Sequence, residues 1–234
     1  IRTSLKERVR VNYSNPKEFG KLVEKDLISV INQLFPEMDG PDPLEIERIE
    51  HEAYAQARRG LYIGRDEYIN SIENLIEKST QPILITGPAG IGKSAFIANW
   101  TAKYQDHHPN TFLFTHYVGV SAQGAEWDKL IIRILNELIT HFNLPDQLPD
   151  TPDQLLRKFG ELLRNLPGED KVVIIIDAIN QLEDNYSALE LEWIPRQLPS
   201  RISIVLSSIP GPHTQKAKEF GWPIIEIQAL TVEE

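Results

Sequence analysis

Apolar and polar positions along this chain follow two regimes. Before residue 61 the apolar residues recur at helical spacing. Phe19, Leu22, Val23, Leu27, Val30, Ile31 and Leu34 lie on one stripe, after an Asn15-Pro16 pair that offers a cap and a first-turn proline. The turn-rich stretch FPEMDGPDP comes next, and Asp42-Pro43 opens a second helix whose expected apolar stripe is Ile46, Ile49, Ala53 and Ala57. Residues 1–60 thus read as an N-terminal helical segment. Two descriptions of it stay open: a module that packs on the domain after it, or a linker of two amphipathic helices.

From Leu61 onward the pattern alternates. PILITG (82–87), TFLFTHYVGV (111–120), VVIIID (172–177), ISIVLSS (202–208) and PIIEIQ (223–228) are short, nearly continuous apolar runs that predict buried strands. Helical stretches separate them, the clearest being AEWDKLIIRILNELITHF. There Trp127, Leu130, Ile131, Ile134, Leu135, Leu138 and Ile139 form an apolar face. Strands of this kind, alternating with helices, predict an α/β fold whose mainly parallel sheet is covered on both faces. DQLPDTPDQ reads as a short polar loop.

Composition narrows the picture a little. The 234 residues suffice for one large α/β domain with an appendage, and 41% hydrophobic and 25% charged residues are ordinary for a globular chain. No apolar run approaches the roughly 18 residues that span a bilayer, so no membrane partner is expected. A formal net charge of −10 argues against nucleic acid as a bulk ligand. Cysteine is absent, which excludes disulfides and thiolate metal sites and agrees with a cytoplasmic location. The chain opens on Ile1 and closes on LTVEE, where Thr231 and Glu234 have capping-box spacing; a fragment of a longer protein is therefore expected.

The chemistry concentrates in GPAGIGKS, which matches G-x-x-x-x-G-K-[ST] in full and lies between a predicted strand and a predicted helix. Gly87, Pro88, Ala89, Gly90, Ile91, Gly92, Lys93, Ser94 and Ala95 form the expected cradle for nucleotide phosphates. Glycines let backbone N–H groups close on phosphate oxygens, Lys93 brings charge to the β and γ phosphates, and the Ser94 hydroxyl can ligate Mg²⁺. The other metal-holding candidate is Asp177, a carboxylate at the end of five consecutive apolar residues.

Taken in order, YIGRDEYINSIENLI, GPAGIGKS, VVIIIDAINQLED and ISIVLSS resemble the NTPase core of the STAND class. Within it they are similar to NACHT-type modules of nephrocystin-like and WD-repeat-bearing proteins. The resemblance covers roughly residues 61 to 230 and implies a domain over 61–234 with sheet order 5-1-4-3-2. It implies a signalling switch that binds ADP or ATP with Mg²⁺. Such a switch self-associates through the NTPase when activated, between an upstream effector region and a downstream repeat sensor. It also implies that Ile63, Gly64 and Arg65 sit over the adenine, although a Gly-Arg turn before a helix is as often only a turn. Ser207 and Ser208 would end a central strand as sensors of the γ phosphate. Relatives often carry an arginine just beyond, where this chain has Ile209-Pro210-Gly211.

Two positions depart from the class. Two acids usually come after the strand-ending Asp at +3 and +4, and here those places hold Asn180 and Gln181. An amide can orient water but cannot take a proton at neutral pH. Gln181 joins Lys93 and Asp177 as a catalytic candidate, by analogy with the glutamine that positions water in slow GTPases. Glu183 and Asp184 lie two residues further and are better read as a solvated acidic loop. The leading expectation is a slow ATPase acting as a switch. An AAA+-like enzyme that hydrolyses continuously and a nucleotide-dependent scaffold are the alternatives, with a small P-loop kinase a minor one.

Overall fold

The computed structural model describes residues 42–60, 64–121, 125–145, 148–149, 151–183 and 190–229, and the helical backbone at Val23, Leu27 and Val30. Ile63, Asp184 and the Thr231–Glu234 pair lie outside the described residues. The chain divides into two units, Ile1–Pro43 and Leu44–Glu234. In the first, the three described positions agree with a helix over that stretch. The sheet and the helices that cover it belong to the second.

Its elements alternate as the pattern predicts. Helices α1 (Pro43–Arg59) and α2 (Asp66–Lys78) precede β1 (Ile83–Thr86), then come α3 (Lys93–His107), β2 (Phe112–Tyr117), α4 (Trp127–His141) and α5 (Pro152–Asn165). β3 (Val172–Asp177), a 3-10 turn at Ile179–Gln181, β4 (Ile202–Ser208), α6 (Pro212–Glu219) and β5 (Ile224–Glu226) complete it. The five strands form one sheet in the order β2-β3-β4-β1-β5, every pair parallel. Read from the other edge this is 5-1-4-3-2, the order the resemblance implies. Strand ends are trimmed relative to the apolar runs: β2 stops at Tyr117, just before a turn through Gly119 with φ 82°. The polar loop 146–154 likewise gives way at Pro152, which takes the first-turn position of α5.

Alternate strand residues feed two cores. Ile174, Ile176, Ile204 and Leu206 face one layer with Trp127, Leu130 and Ile134 of α4 and Phe159 of α5. Val173, Ile175, Val205, Ile83 and Ile85 face the other, with Phe96 and Trp100 of α3 and Ile72 and Ile76 of α2. Burial on both faces explains why the strands read as continuous apolar runs. It also brings the polar C-terminal ends of β1, β3 and β4 together at one end of the sheet.

Helix α1 departs from its expected orientation. Ile46 and Ile49 are 43% and 57% exposed, and Ala53 and Ala57 are exposed as well. The buried face carries His51 and Ala55 instead. That face is held by polar contacts a hydropathy stripe cannot reveal. The backbone N–H of Tyr117, on the edge strand β2, donates to His51 Nδ1 at 3.2 Å. Arg59 Nε donates to the carbonyl of Ala98 at 3.1 Å, and Arg48 grips Glu137 through two nitrogens at 2.7 and 2.9 Å. α1 therefore covers an open sheet edge, where unpaired backbone groups would otherwise be exposed to strand addition.

Candidate functional site

The phosphate loop runs from β1 into α3. Gly87 has no room for a side chain: a Cβ there would lie 2.8 Å from the carbonyl oxygen of Ile227, just beyond β5. Gly92 sits in the left-handed region with φ 95° and immediately precedes α3, so the first N–H groups of that helix open onto the loop. Lys93 is buried, and its ammonium donates to the carbonyls of Gly87 at 2.7 Å and Pro88 at 2.9 Å. Burial lowers its pKa, and Asp177 opposes that shift.

Arg65 has a role that the motif alone does not reveal. It is 7% exposed, and its Nη2 donates to the carbonyls of Ile91, at 2.8 Å, and Gln228, at 3.2 Å. Its own backbone is left-handed, with φ 72°, at the cap of α2. The guanidinium thus ties the phosphate loop to the chain leaving β5. Gly64 precedes it with φ 74°. Arg65 braces the loop, and the sequence carried no signal for this beyond a turn before Asp66.

Asp177 closes the opposite wall. It is 1% exposed; the Ser207 hydroxyl donates to its Oδ1, while Oδ2 is buried with no hydrogen-bond partner. Burial raises its pKa, and the Ser207 and Ser94 hydroxyls and the Lys93 and Arg58 charges pull it back down. The next residue, Ala178, adopts φ 61°, unusual for a residue with a Cβ, and its N–H donates to Ser207 Oγ at 2.8 Å. Ser207 therefore locks the ends of β3 and β4 and fixes the carboxylate. Ser208 turns its hydroxyl to the carbonyl of Ile209 at 3.0 Å.

A cavity of about 530 Å³ lies between these walls. Among the described residues it brings together Lys93, Ser94, Asp177, Asn180 and Gln181, with Arg58 entering from α1. Asp177 is the one carboxylate among its described lining residues. Asn180 Oδ1 accepts the N–H of Ile209 at 3.2 Å, which ties the turn after β3 to the loop after β4. Among the described residues no group of three or more His, Asp or Glu side chains could hold a metal alone. The orphaned, buried Oδ2 of Asp177 and the Ser94 hydroxyl, which lines the same cavity, fit Mg²⁺, which keeps several positions for water and phosphate oxygens. No described helix is long and apolar enough to cross a membrane.

Several known proteins are similar to this chain. A TPR repeat-containing protein of Dictyostelium discoideum is 22% identical over 94% of this chain and 17% of its own length. Nephrocystin-3 of Mus musculus is 26% identical over 80% of the chain and 16% of its own length. NACHT and WD repeat domain-containing protein 2 of Homo sapiens is 26% identical over 83% of the chain and 12% of its own length. The chain thus spans about a sixth or less of the length of these relatives. Among solved structures, Drosophila ORC bound to GC-rich DNA and Cdc6 aligns with a TM-score of 0.50 and 14% identity, over 78% of this chain and 60% of that one; it shares the fold. Residues 62–207 match the family described as the AAA ATPase domain, and the chain belongs to it.

Proposed function

We propose that this domain binds ATP and ADP with Mg²⁺ as an AAA+-like ATPase module and that its nucleotide state governs the assembly of a larger multidomain chain. The observation that carries the reading is the convergence of Lys93, Ser94 and the partnerless Oδ2 of Asp177 in one cavity at the mouth of the phosphate loop. Membership of the AAA ATPase domain family favours this AAA+-like description over the NACHT-type signalling switch. TPR and WD repeats in the names of relatives support neighbouring repeat domains, and similarity to NACHT and WD repeat domain-containing protein 2 supports a link to the NACHT-like group.

In this reading Lys93 leaves its loop carbonyls for the β and γ phosphates, and Ser94 and Asp177 hold Mg²⁺. The metal would neutralise charge that builds on the phosphate oxygens. Gly87 to Ala95 wrap the phosphates, with Arg65 keeping the loop closed. Ile63 and Gly64 border the adenine, and Ser207 acts through Asp177.

A second, finer reading is slow hydrolysis, and one observation favours it. Beyond Asp177 the described cavity wall offers only the amides of Asn180 and Gln181 where a proton acceptor is needed, and Asn180 is already engaged by Ile209. Gln181 is then left to position water, which in GTPases gives turnover on the order of 10⁻⁴ per second without an arginine and 10⁻² per second with one supplied in cis.

The test is to denature purified protein, identify the released nucleotide and its stoichiometry, and then measure steady-state ATP turnover. One adenine nucleotide per chain with turnover in that slow range is the expected result. Rapid multiple turnover would sink the slow reading and leave the AAA+-like enzyme. A protein that takes up neither ATP nor ADP would sink both.

A further inference from the structure

We propose that Arg58, on α1, is a phosphate-binding residue that tells ATP from ADP by contacting the γ phosphate; the proposal rests on the nucleotide-binding reading above. The chain lacks an arginine after β4, where Ile209-Pro210-Gly211 stands. Arg58 brings the missing charge from another direction, entering the cavity beside Ser94, Asp177 and Gln181. Arg58 thus lines the same cavity as Ser94 and Asp177, the metal-holding side chains, where the metal-bound terminal phosphate of ATP would lie.

The guanidinium rests on a ring and one carbonyl and leaves most of its donors unused by the protein. Its carbon lies 3.2 Å from the centroid of the Tyr54 ring, and its Nη1 reaches the Tyr54 carbonyl at 3.5 Å, the outer limit of a hydrogen bond. Among the described residues no carboxylate forms an ion pair with it, whereas the neighbouring Arg59 pairs with Glu52 at 3.0 Å and Arg48 with Glu137 at 2.7 Å. Five donors in a planar fork suit two phosphate oxygens, and charge-assisted bonds of that kind outweigh a half-exposed cation–π contact.

The platform, by contrast, is fixed. His51 accepts the Tyr117 N–H, Arg59 holds α3 through Ala98, and the rings of Tyr54 and Tyr117 pack at 4.8 Å. A side chain with spare donors on a pinned helix is a short arm over the site.

The experiment measures Mg²⁺-dependent binding of ADP and of a non-hydrolysable ATP analogue to the 234-residue chain and to Arg58→Ala. The variant should lose about ten-fold in affinity for the ATP analogue while ADP affinity changes less than about two-fold. Arg58→Lys, which keeps the charge and loses the fork, should fall between; it also carries the test should the alanine variant fail to fold. An unchanged ratio of the two affinities in the variants overturns the proposal, whether both fall equally or neither moves. If the unaltered chain bound neither nucleotide, the parent reading would fail rather than the role of Arg58.

Discussion

Two cavities of similar size flank α1, and they differ in how their charges are balanced. The larger, about 580 Å³, lies at the β2 edge among Arg48, His51, Arg133, Glu137 and their neighbours; the smaller, about 530 Å³, is the phosphate site. At the edge almost every charge has an answer from the protein. Arg48 holds Glu137, Arg133 lies 3.3 Å from Glu47, and Arg133 Nη1 meets His116 Nδ1 at 2.7 Å. Arginine keeps its protons, so His116 accepts there and is neutral. In the phosphate site two cations rest on carbonyls and a ring, and the single carboxylate keeps one oxygen without a partner. Buried charge without protein compensation is costly unless something else supplies it. Volume alone would have ranked the edge cavity first; the unbalanced charge picks out the other.

The largest expected effect comes from the imbalance. Lys93→Ala should weaken ATP and ADP binding by roughly 100-fold or more, since two phosphates lose a charge-assisted donor. Its thermal stability should stay near that of the parent chain, because the ammonium is buried against loop carbonyls and not in an ion pair. Calorimetric titration and a melting curve read the two effects separately. Retained affinity would move the nucleotide away from this loop.

The edge cavity should answer in the opposite way. Glu137→Ala leaves Arg133 buried with less compensation and releases Arg48, so stability should drop by about 2 kcal/mol. Nucleotide affinity should be unchanged within about two-fold. Urea unfolding together with ADP titration is the check. A loss of affinity with intact stability would mean that the edge cavity takes part in binding, and the comparison would break.

The sequence was most legible where one residue type has one use. Glycine, lysine and serine at fixed spacing announced the phosphate loop, and five apolar residues before Asp177 announced its strand. The sheet order came from the resemblance, and the parallel pairing from βα alternation. What escaped was any contact made by a side chain whose partner is backbone. Arg65 reads as half of a turn until Ile91 and Gln228 are brought beneath it. Ser207, expected near the γ phosphate, also holds Asp177, a contact no motif reveals. Helix α1 shows the same limit in reverse. Its hydropathy places Ile46 and Ile49 inward, yet the edge of β2 needed acceptors more than it needed apolar cover, and His51 won that face. Arg58 was invisible because the rotation of α1 decides whether its last turn meets the site.

The smallest effect tests whether the edge cavity is really closed to further charge. His51 is 3% exposed, packed on the His116 ring at 4.5 Å, and faces Arg133 from α4, with Glu137 on the same helix and Glu47 and Arg48 on its own. Burial first, then the Arg133 charge, push its pKa down to about 2. An unfolded histidine titrates near 6.5, so over the interval between these values the unfolded chain binds the extra proton. Stability from this group is complete above the unfolded pKa and is lost as the pH falls through it. Between about pH 7.5 and 5.5 the parent chain should lose about 1.4 kcal/mol on this account. His51→Gln keeps an acceptor for the Tyr117 N–H and removes the titration, so its unfolding free energy should fall less over the same range by that amount. Parallel pH curves for the two proteins would show that folded His51 takes up a proton freely. The edge cavity would then hold uncompensated charge too, and charge balance would no longer separate it from the phosphate site.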